Sequence, residues 1–142
     1  MPNTDWISNL ERSIPSDTKV ACQLIREFVA QMQDAGWNEA SIFAVHMALE
    51  ESIMNAIKHG NESDPEKFVQ IEARFSVDRF EAEIVDEGLG FEPSEVADPT
   101  LDENLELTSG RGVMLIREFM DEVEYLDGGR RIRMTKRVVD ER

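Results

Sequence analysis

The sequence predicts an α/β two-layer sandwich, with helices covering one face of a mixed, mostly antiparallel sheet. Three observations point there. Two stretches of helical period follow one another before residue 60. Two short alternating stretches joined by a tight polar turn come next. A third helical stretch and two further alternating ones close the chain after a long acidic loop. The expected order is β, α, α, β, β, loop, α, β, β, in a single domain spanning residues 1–142.

Residues 6–14 alternate loosely and stop at Pro15, as a first strand would. Ser16 or Asp17 can cap a helix over 18–35, in which Val20, Leu24, Ile25, Phe28 and Met32 recur at helical spacing before Gly36 ends it. Asn38 or Ser41 can cap a second helix running to His59. Its apolar positions are Phe43, Met47, Ile53, Met54 and Ile57; Gly60 supplies the stop, ahead of the polar turn NESDPEK. Over 68–77, Val69, Ile71, Ala73, Phe75 and Val77 point one way and Gln70, Glu72 and Arg74 the other, the pattern of a half-buried strand. Asp78-Arg79 reads as a tight turn into an antiparallel partner over 80–85, with Phe80, Ala82 and Ile84 on one face. Residues 86–110 break the pattern with DEGLG, two prolines and many acids, and loops of that length in compact domains are usually functional or mobile. Gly112 opens a helix carrying Val113, Leu115, Ile116 and Phe119, and strands over 122–126 and 131–138 flank a turn at Asp127-Gly128-Gly129.

Composition narrows the function. The 142 residues are 41% hydrophobic and 32% charged, ordinary for a soluble globular protein. No apolar run approaches bilayer length, and the N-terminal MPNTDWISNLERSIP lacks the basic-then-apolar order of a secretory signal, so the cytoplasm is expected. Cys22 is the only cysteine; it has no internal partner and sits in an apolar-periodic stretch, as a small buried side chain would. Fifteen basic against 30 acidic residues give a net charge of −15. That field repels nucleic acid and anionic membranes and chiefly keeps the protein soluble. A nucleotide would have to be held locally, by backbone amides, a cation and a few basic side chains.

Three segments carry possible chemistry. On the second helix Glu51, Asn55 and His59 recur every four residues and share a face, with Lys58 close to it. Surface decoration accounts for Glu and Lys there. Asn is harder to dismiss, being an indifferent helix former whose carboxamide oxygen suits Mg²⁺, while a carboxylate one turn away can orient or deprotonate a hydroxyl. DEGLGF, residues 86–91, follows a strand: Gly88 and Gly90 either build a turn or let the backbone approach a ligand that Asp86 holds. SGRG, residues 109–112, leads into a helix, where exposed amides and Arg111 suit a phosphate. Each piece alone has a bland reading; the three in this order are far more specific.

ALEESIMNAIKHGN resembles the N box of the GHKL (histidine-kinase-like) ATPases, DEGLGF their first glycine box, and SGRGVMLIREFMDEVEY their second. The short chain, the HGN ending and the GRGVMLI…FMDEV run are most similar to the anti-sigma-factor serine/threonine kinases, over about residues 15–138. The resemblance implies a Bergerat-type ATP-binding fold using ATP and Mg²⁺. It implies that Asn55 coordinates the Mg²⁺, that Glu51 is the general base toward a protein serine or threonine hydroxyl, and that Lys58 and His59 lie near the phosphates. Glu50 points about a quarter turn away, so only Glu51 has the four-residue spacing to Asn55. Asp86 would bind the adenine amino group in a pocket shaped by Gly88 and Gly90. Residues 92–108 would form the ATP lid, and Gly110, Arg111 and Gly112 would close over the phosphates.

The family's partner logic implies phosphorylation of an anti-sigma-factor antagonist, sequestration of a sigma factor, and a homodimer. The chain departs from the pattern at Gly129-Arg130-Arg131, where many relatives have Gly-Thr and use the threonine on adenine. No segment carries the phosphoacceptor region of a two-component histidine kinase, and His46 reads as a packed helix residue. The alternative functions are a non-catalytic ATP-binding regulatory module, or a GHKL ATPase in another pathway.

Overall fold

The computed structural model describes residues 6–88 and 116–138. The elements are β1 (Ser8–Pro15), α1 (Thr18–Asp34), α2 (Glu39–Asn55), a π-helical turn (Ala56–Gly60), β2 (Phe68–Phe75), β3 (Arg79–Val85), β4 (Glu122–Leu126), a 3₁₀ turn (Asp127–Gly129) and β5 (Arg131–Arg137). Residues 116–119, before β4, are helical. The expected strands and the first two helices are thus observed in order, whereas most of the expected 86–110 loop and the expected helix start at Gly112 lie outside the described residues. The sheet runs β1-β2-β3-β5-β4, and each of its four pairings is antiparallel.

Register explains why one face is covered. Leu10 sits opposite Ala73, Ala73 opposite Ala82, and Ala82 opposite Met134. A parallel row sets Ile71 opposite Ile84 and Ile84 opposite Ile132. All of these are buried, because side chains two apart on a strand share a face. Against this face pack Leu24, Ile25, Phe28 and Met32 of α1 and Val45, Leu49 and Ile53 of α2, in one continuous core. Phe28 meets Phe75 and Phe80 edge-on at centroid distances of 5.5 and 5.9 Å, contacts worth ~0.5–1.5 kcal/mol each beyond the area they bury. The other face carries the row Glu11, Glu72, Glu83, Arg133 and Glu124, and it is polar.

The helix starts are set by single side chains. Asp17, rather than Ser16, caps α1 by accepting the Lys19 amide at 2.8 Å; Asn38, rather than Ser41, caps α2 by accepting the Ser41 amide at 2.7 Å. Such caps contribute about 1 kcal/mol each. Ser16 instead donates its hydroxyl to the Lys67 carbonyl at 2.8 Å, tying the start of α1 to the segment before β2. Trp37, between the helices, donates its indole N–H to the Ser76 carbonyl at 2.9 Å and so anchors the β2–β3 turn.

Several expectations change. β2 ends at Phe75, and Val77 lies in the turn with 66% of its surface exposed. Of the expected α2 stripe, Ile53 and Ile57 are buried, but its core side also runs through Ile42, Val45 and Leu49, whereas Phe43 is 55% exposed. Cys22 is half-buried rather than buried. His46 is half-buried rather than fully packed, and its ring pairs with Glu50 at 3.4 Å.

Candidate functional site

The second helix delivers Glu51 and Asn55, and it does not continue to His59. The α-helix ends at Asn55, and Ala56–Gly60 form a π-helical turn closed by the Asn61 amide on the Ala56 carbonyl at 2.8 Å. Glu51 and Asn55 therefore keep α-helical spacing and share a face. Lys58 and His59 lie on the wider turn, both exposed, so the four-residue stacking of His59 on Asn55 is lost. π-turns inside helices occur frequently at functional sites.

Glu51 and Asn55 are both half-buried, and neither side chain has a hydrogen-bond partner among the described residues. Glu50 is engaged with His46, which separates the two neighbouring glutamates by partner as well as by direction. Among the described residues no group of three or more His, Cys, Asp or Glu side chains could hold a metal ion. A Mg²⁺ carried mainly by nucleotide phosphates would need little more than one oxygen donor from the chain, and the Asn55 carboxamide fits that requirement.

At the end of the helix the backbone meets the turn after β3. The Asp86 amide donates to the Arg130 carbonyl at 3.0 Å, the Glu87 amide to Asn61 Oδ1 at 2.7 Å, and the Gly88 amide to Asp86 Oδ1 at 2.7 Å. Three successive amides are thus pinned by three different partners. Gly60 and Gly88 make the crossing possible. A Cβ on Gly60 would stand 2.3 Å from Asp86 Cγ, and one on Gly88 would stand 2.0 Å from the Gly60 carbonyl oxygen. Gly60, expected to act as a helix stop, is therefore a close-approach position that seats Asp86.

Asp86 is partly buried. Loss of hydration raises its pKa above the ordinary aspartate value, against the lowering effects of the Gly88 hydrogen bond and the Arg130 and Lys67 charges. The Gly129-Arg130-Arg131 departure takes a definite form here. Arg130 contributes its carbonyl and its charge to Asp86, whereas Arg131 turns to the open face and pairs with Glu83 and with Asp127. Glu83 is also bonded by Arg133 at 3.1 Å, and these guanidinium bonds outweigh burial to bring its pKa below the ordinary value.

The structure therefore places Glu51, Asn55, Lys58 and His59 on one helix end, and brings Asp86 and Gly88 against that end. Gly90, Gly110, Arg111, Gly112 and the 92–108 segment lie outside the described residues. Sequence reasoning missed Gly60 as a contact and gave Asn61, the last residue of the HGN motif, no role. Asn61 is fully buried, and the hints were its place directly after a helix-terminal glycine and its membership of the HGN ending.

Residues 14–136 match the family described as Histidine kinase-like ATPase domain. The chain is 32% identical over 131 residues to an anti-sigma F factor of Clostridium perfringens, an alignment covering 79% of this chain and 94% of that protein. It is 30% identical to an anti-sigma F factor of Oceanobacillus iheyensis, over 89% of this chain and 88% of that protein. It is 28% identical to the serine-protein kinase RsbW of Listeria innocua, over 72% of this chain and 69% of that protein.

Proposed function

The chain belongs to the histidine kinase-like ATPase family, and from that premise we propose that it is an ATP-dependent serine/threonine kinase of the anti-sigma-factor type. Relatives bearing the names anti-sigma F factor and serine-protein kinase support this reading. So does one observation above the others: Glu51 and Asn55 stand one helical turn apart, uncommitted to any described residue, on the last turns of the helix whose continuing π-turn seats Asp86.

In this reading Asp86 Oδ2 accepts the adenine amino group while Oδ1 stays bonded to the Gly88 amide. Lys58 and His59 face the phosphates, and Gly110, Arg111 and Gly112 close over them beneath the lid at 92–108. Glu51 orients the incoming serine or threonine hydroxyl and takes its proton. The oxygen–phosphorus bond to the acceptor forms as the bond between the γ-phosphorus and the bridging oxygen breaks, leaving ADP and the phosphoprotein. Mg²⁺, held on the chain side by Asn55, would neutralise the phosphate charge when bound. Little covalent chemistry is required of the protein, because phosphoryl transfer depends mainly on positioning and charge stabilisation.

The substrate would be an anti-sigma-factor antagonist. The protein would hold either that antagonist or a sigma factor, as a homodimer in the cytoplasm. Among the described residues no helix is long and apolar enough to cross a membrane.

Incubation with γ-labelled ATP and a candidate antagonist tests the reading. Label on a serine or threonine of the antagonist is the expected result. Release of free phosphate alone would make the protein an ATPase, and retention of intact ATP would make it a binding module.

A further inference from the structure

Asn61 is a fully buried polar residue that the proposed chemistry does not use. Its carboxamide is saturated by groups far apart in the chain. Nδ2 donates to Ser16 Oγ and to the Phe68 carbonyl, both at 3.1 Å, and Oδ1 accepts the Glu87 amide at 2.7 Å. Glu87 reciprocates across the same strand end, its carboxylate accepting the Phe68 amide at 2.5 Å. Beyond the last β2–β3 pair, Gln70 with Val85, two side chains therefore take over the work of the ladder. Both backbone groups of Phe68 are satisfied by them, and Glu87 is held at its amide.

A purely structural asparagine would need only partners. This one has its acceptor on the peptide that follows Asp86, in a turn where the flanking amides of residues 86 and 88 are also bonded. With the 86, 87 and 88 amides all fixed, the Asp86 carboxylate has little freedom to swing. We propose that Asn61 is a positioning residue for nucleotide recognition: its buried carboxamide holds the Glu87 amide, and thereby aims the Asp86 carboxylate at the bound base. This rests on the reading of Asp86 as the acceptor for the adenine amino group.

The readout is the preference for ATP over ITP, whose base carries a carbonyl where adenine carries the amino group. Binding of each is measured by titration calorimetry on the full chain, beside thermal denaturation. Asn61→Ala reduces the ATP-over-ITP preference roughly tenfold or more, the scale of a hydrogen bond to a charged group. Asn61→Asp keeps an acceptor for the Glu87 amide but loses both donated bonds, so it restores the preference while remaining less stable. An unchanged preference in Asn61→Ala, whatever its melting temperature, overturns the proposal, and so does a loss that Asn61→Asp fails to restore.

Asp86→Ala separates the two levels of inference. If it keeps the wild-type preference, the adenine role of Asp86 fails. If it loses the preference while Asn61→Ala does not, only the positioning role fails. Should Asn61→Ala not fold, amide hydrogen exchange of the wild-type protein decides: the Glu87 amide exchanges slowly without nucleotide and slows no further with Mg·ATP. Fast exchange that becomes slow only on ATP addition refutes the pre-set turn.

Discussion

Placing one methyl group on Gly60 is the most direct test of how the helix end seats Asp86. The added Cβ would lie 2.3, 2.4 and 2.7 Å from the Asp86 Cγ, Oδ2 and Oδ1 atoms, all closer than real Cβ contacts allow. Relief requires the carboxyl group to move by about 1 Å, since ordinary carbon contacts begin near 3.5 Å. The Oδ1 bond to the Gly88 amide, now 2.7 Å, does not survive such a shift, because a contact near 3.6 Å is no longer a hydrogen bond. Gly60→Ala should therefore weaken ATP binding by about 10-fold to 10²-fold, the range expected for losing a hydrogen bond to a charged group. Its net cost in stability is about 0–2 kcal/mol, because overpacking of ~1–3 kcal/mol is partly offset by the ~1 kcal/mol gained on replacing glycine in a helical turn. Gly88→Ala makes the contrast. Its Cβ would meet the Gly60 carbonyl oxygen at 2.0 Å, and backbone cannot rotate away, so the loss falls on folding. Titration with Mg·ATP and thermal denaturation of both variants measure the two effects. ATP affinity unchanged in a folded Gly60→Ala protein would refute the seating argument.

Glu51→Ala should retain ATP binding and lower phosphoryl transfer to the antagonist by roughly 10²-fold or more, measured with labelled ATP; near-normal transfer would rule out its role as base. Asn55→Ala should weaken binding of Mg·ATP, and an unchanged titration would sink the metal role. On the open sheet face Glu11 lies directly across from Glu72, and the hydrogen bond they share, with burial and like charge, raises the Glu72 pKa. The folded protein thus holds that proton more tightly than the unfolded chain. The resulting destabilisation is absent below the unfolded value and grows as pH rises toward the raised pKa. Glu11→Gln should add up to ~1 kcal/mol at neutral pH and progressively less below the carboxylate range, by urea denaturation across pH; a gain independent of pH would contradict the shared-proton account.

How much was legible in the sequence follows from which interactions are local. The β2 and β3 alternation read correctly because this sheet buries only one face, so every second residue must be apolar. α2 was read only in part because it is apolar over much of its circumference: of the expected Phe43, Met47, Ile53, Met54 and Ile57, Ile53 and Ile57 are buried, but Phe43, Met47 and Met54 drew attention from the buried Val45 and Leu49. Phe43 in fact lies against Phe119 at 5.8 Å, a contact no local pattern could announce. Within the site, the Glu51–Asn55 spacing was visible because an α-helix fixes it. The π-turn at Ala56–Gly60 carries no residue pattern that distinguishes it from continued helix, so His59 was placed one turn too simply. The contacts of Gly60 with Asp86 and of Asn61 with Glu87 each span 26 residues. Only the folded chain brings them together.

Those long-range contacts bear on why an aspartate stands at residue 86 at all. Its pKa is raised chiefly by burial, so in the folded state the ionised form is disfavoured relative to the unfolded chain. The penalty is absent at pH below the unfolded value and grows as pH rises toward the folded one. An asparagine would carry no such penalty and could still accept the Gly88 amide. Yet the surroundings lessen the cost of ionisation without abolishing it: the Gly88 amide donates to the carboxylate, and the Arg130 and Lys67 charges lie near enough to lower its pKa. The crossing of Gly60 and Gly88 then fixes where that charge sits. A fold that carries −15 overall and still spends stability on one more half-buried carboxylate, with three pinned amides to aim it, places the cost where a donor on a ligand would recover it. The amino group of adenine is such a donor, and for that reason the weight of the site rests on Asp86 and the Asn61-Gly60 corner as much as on Glu51 and Asn55.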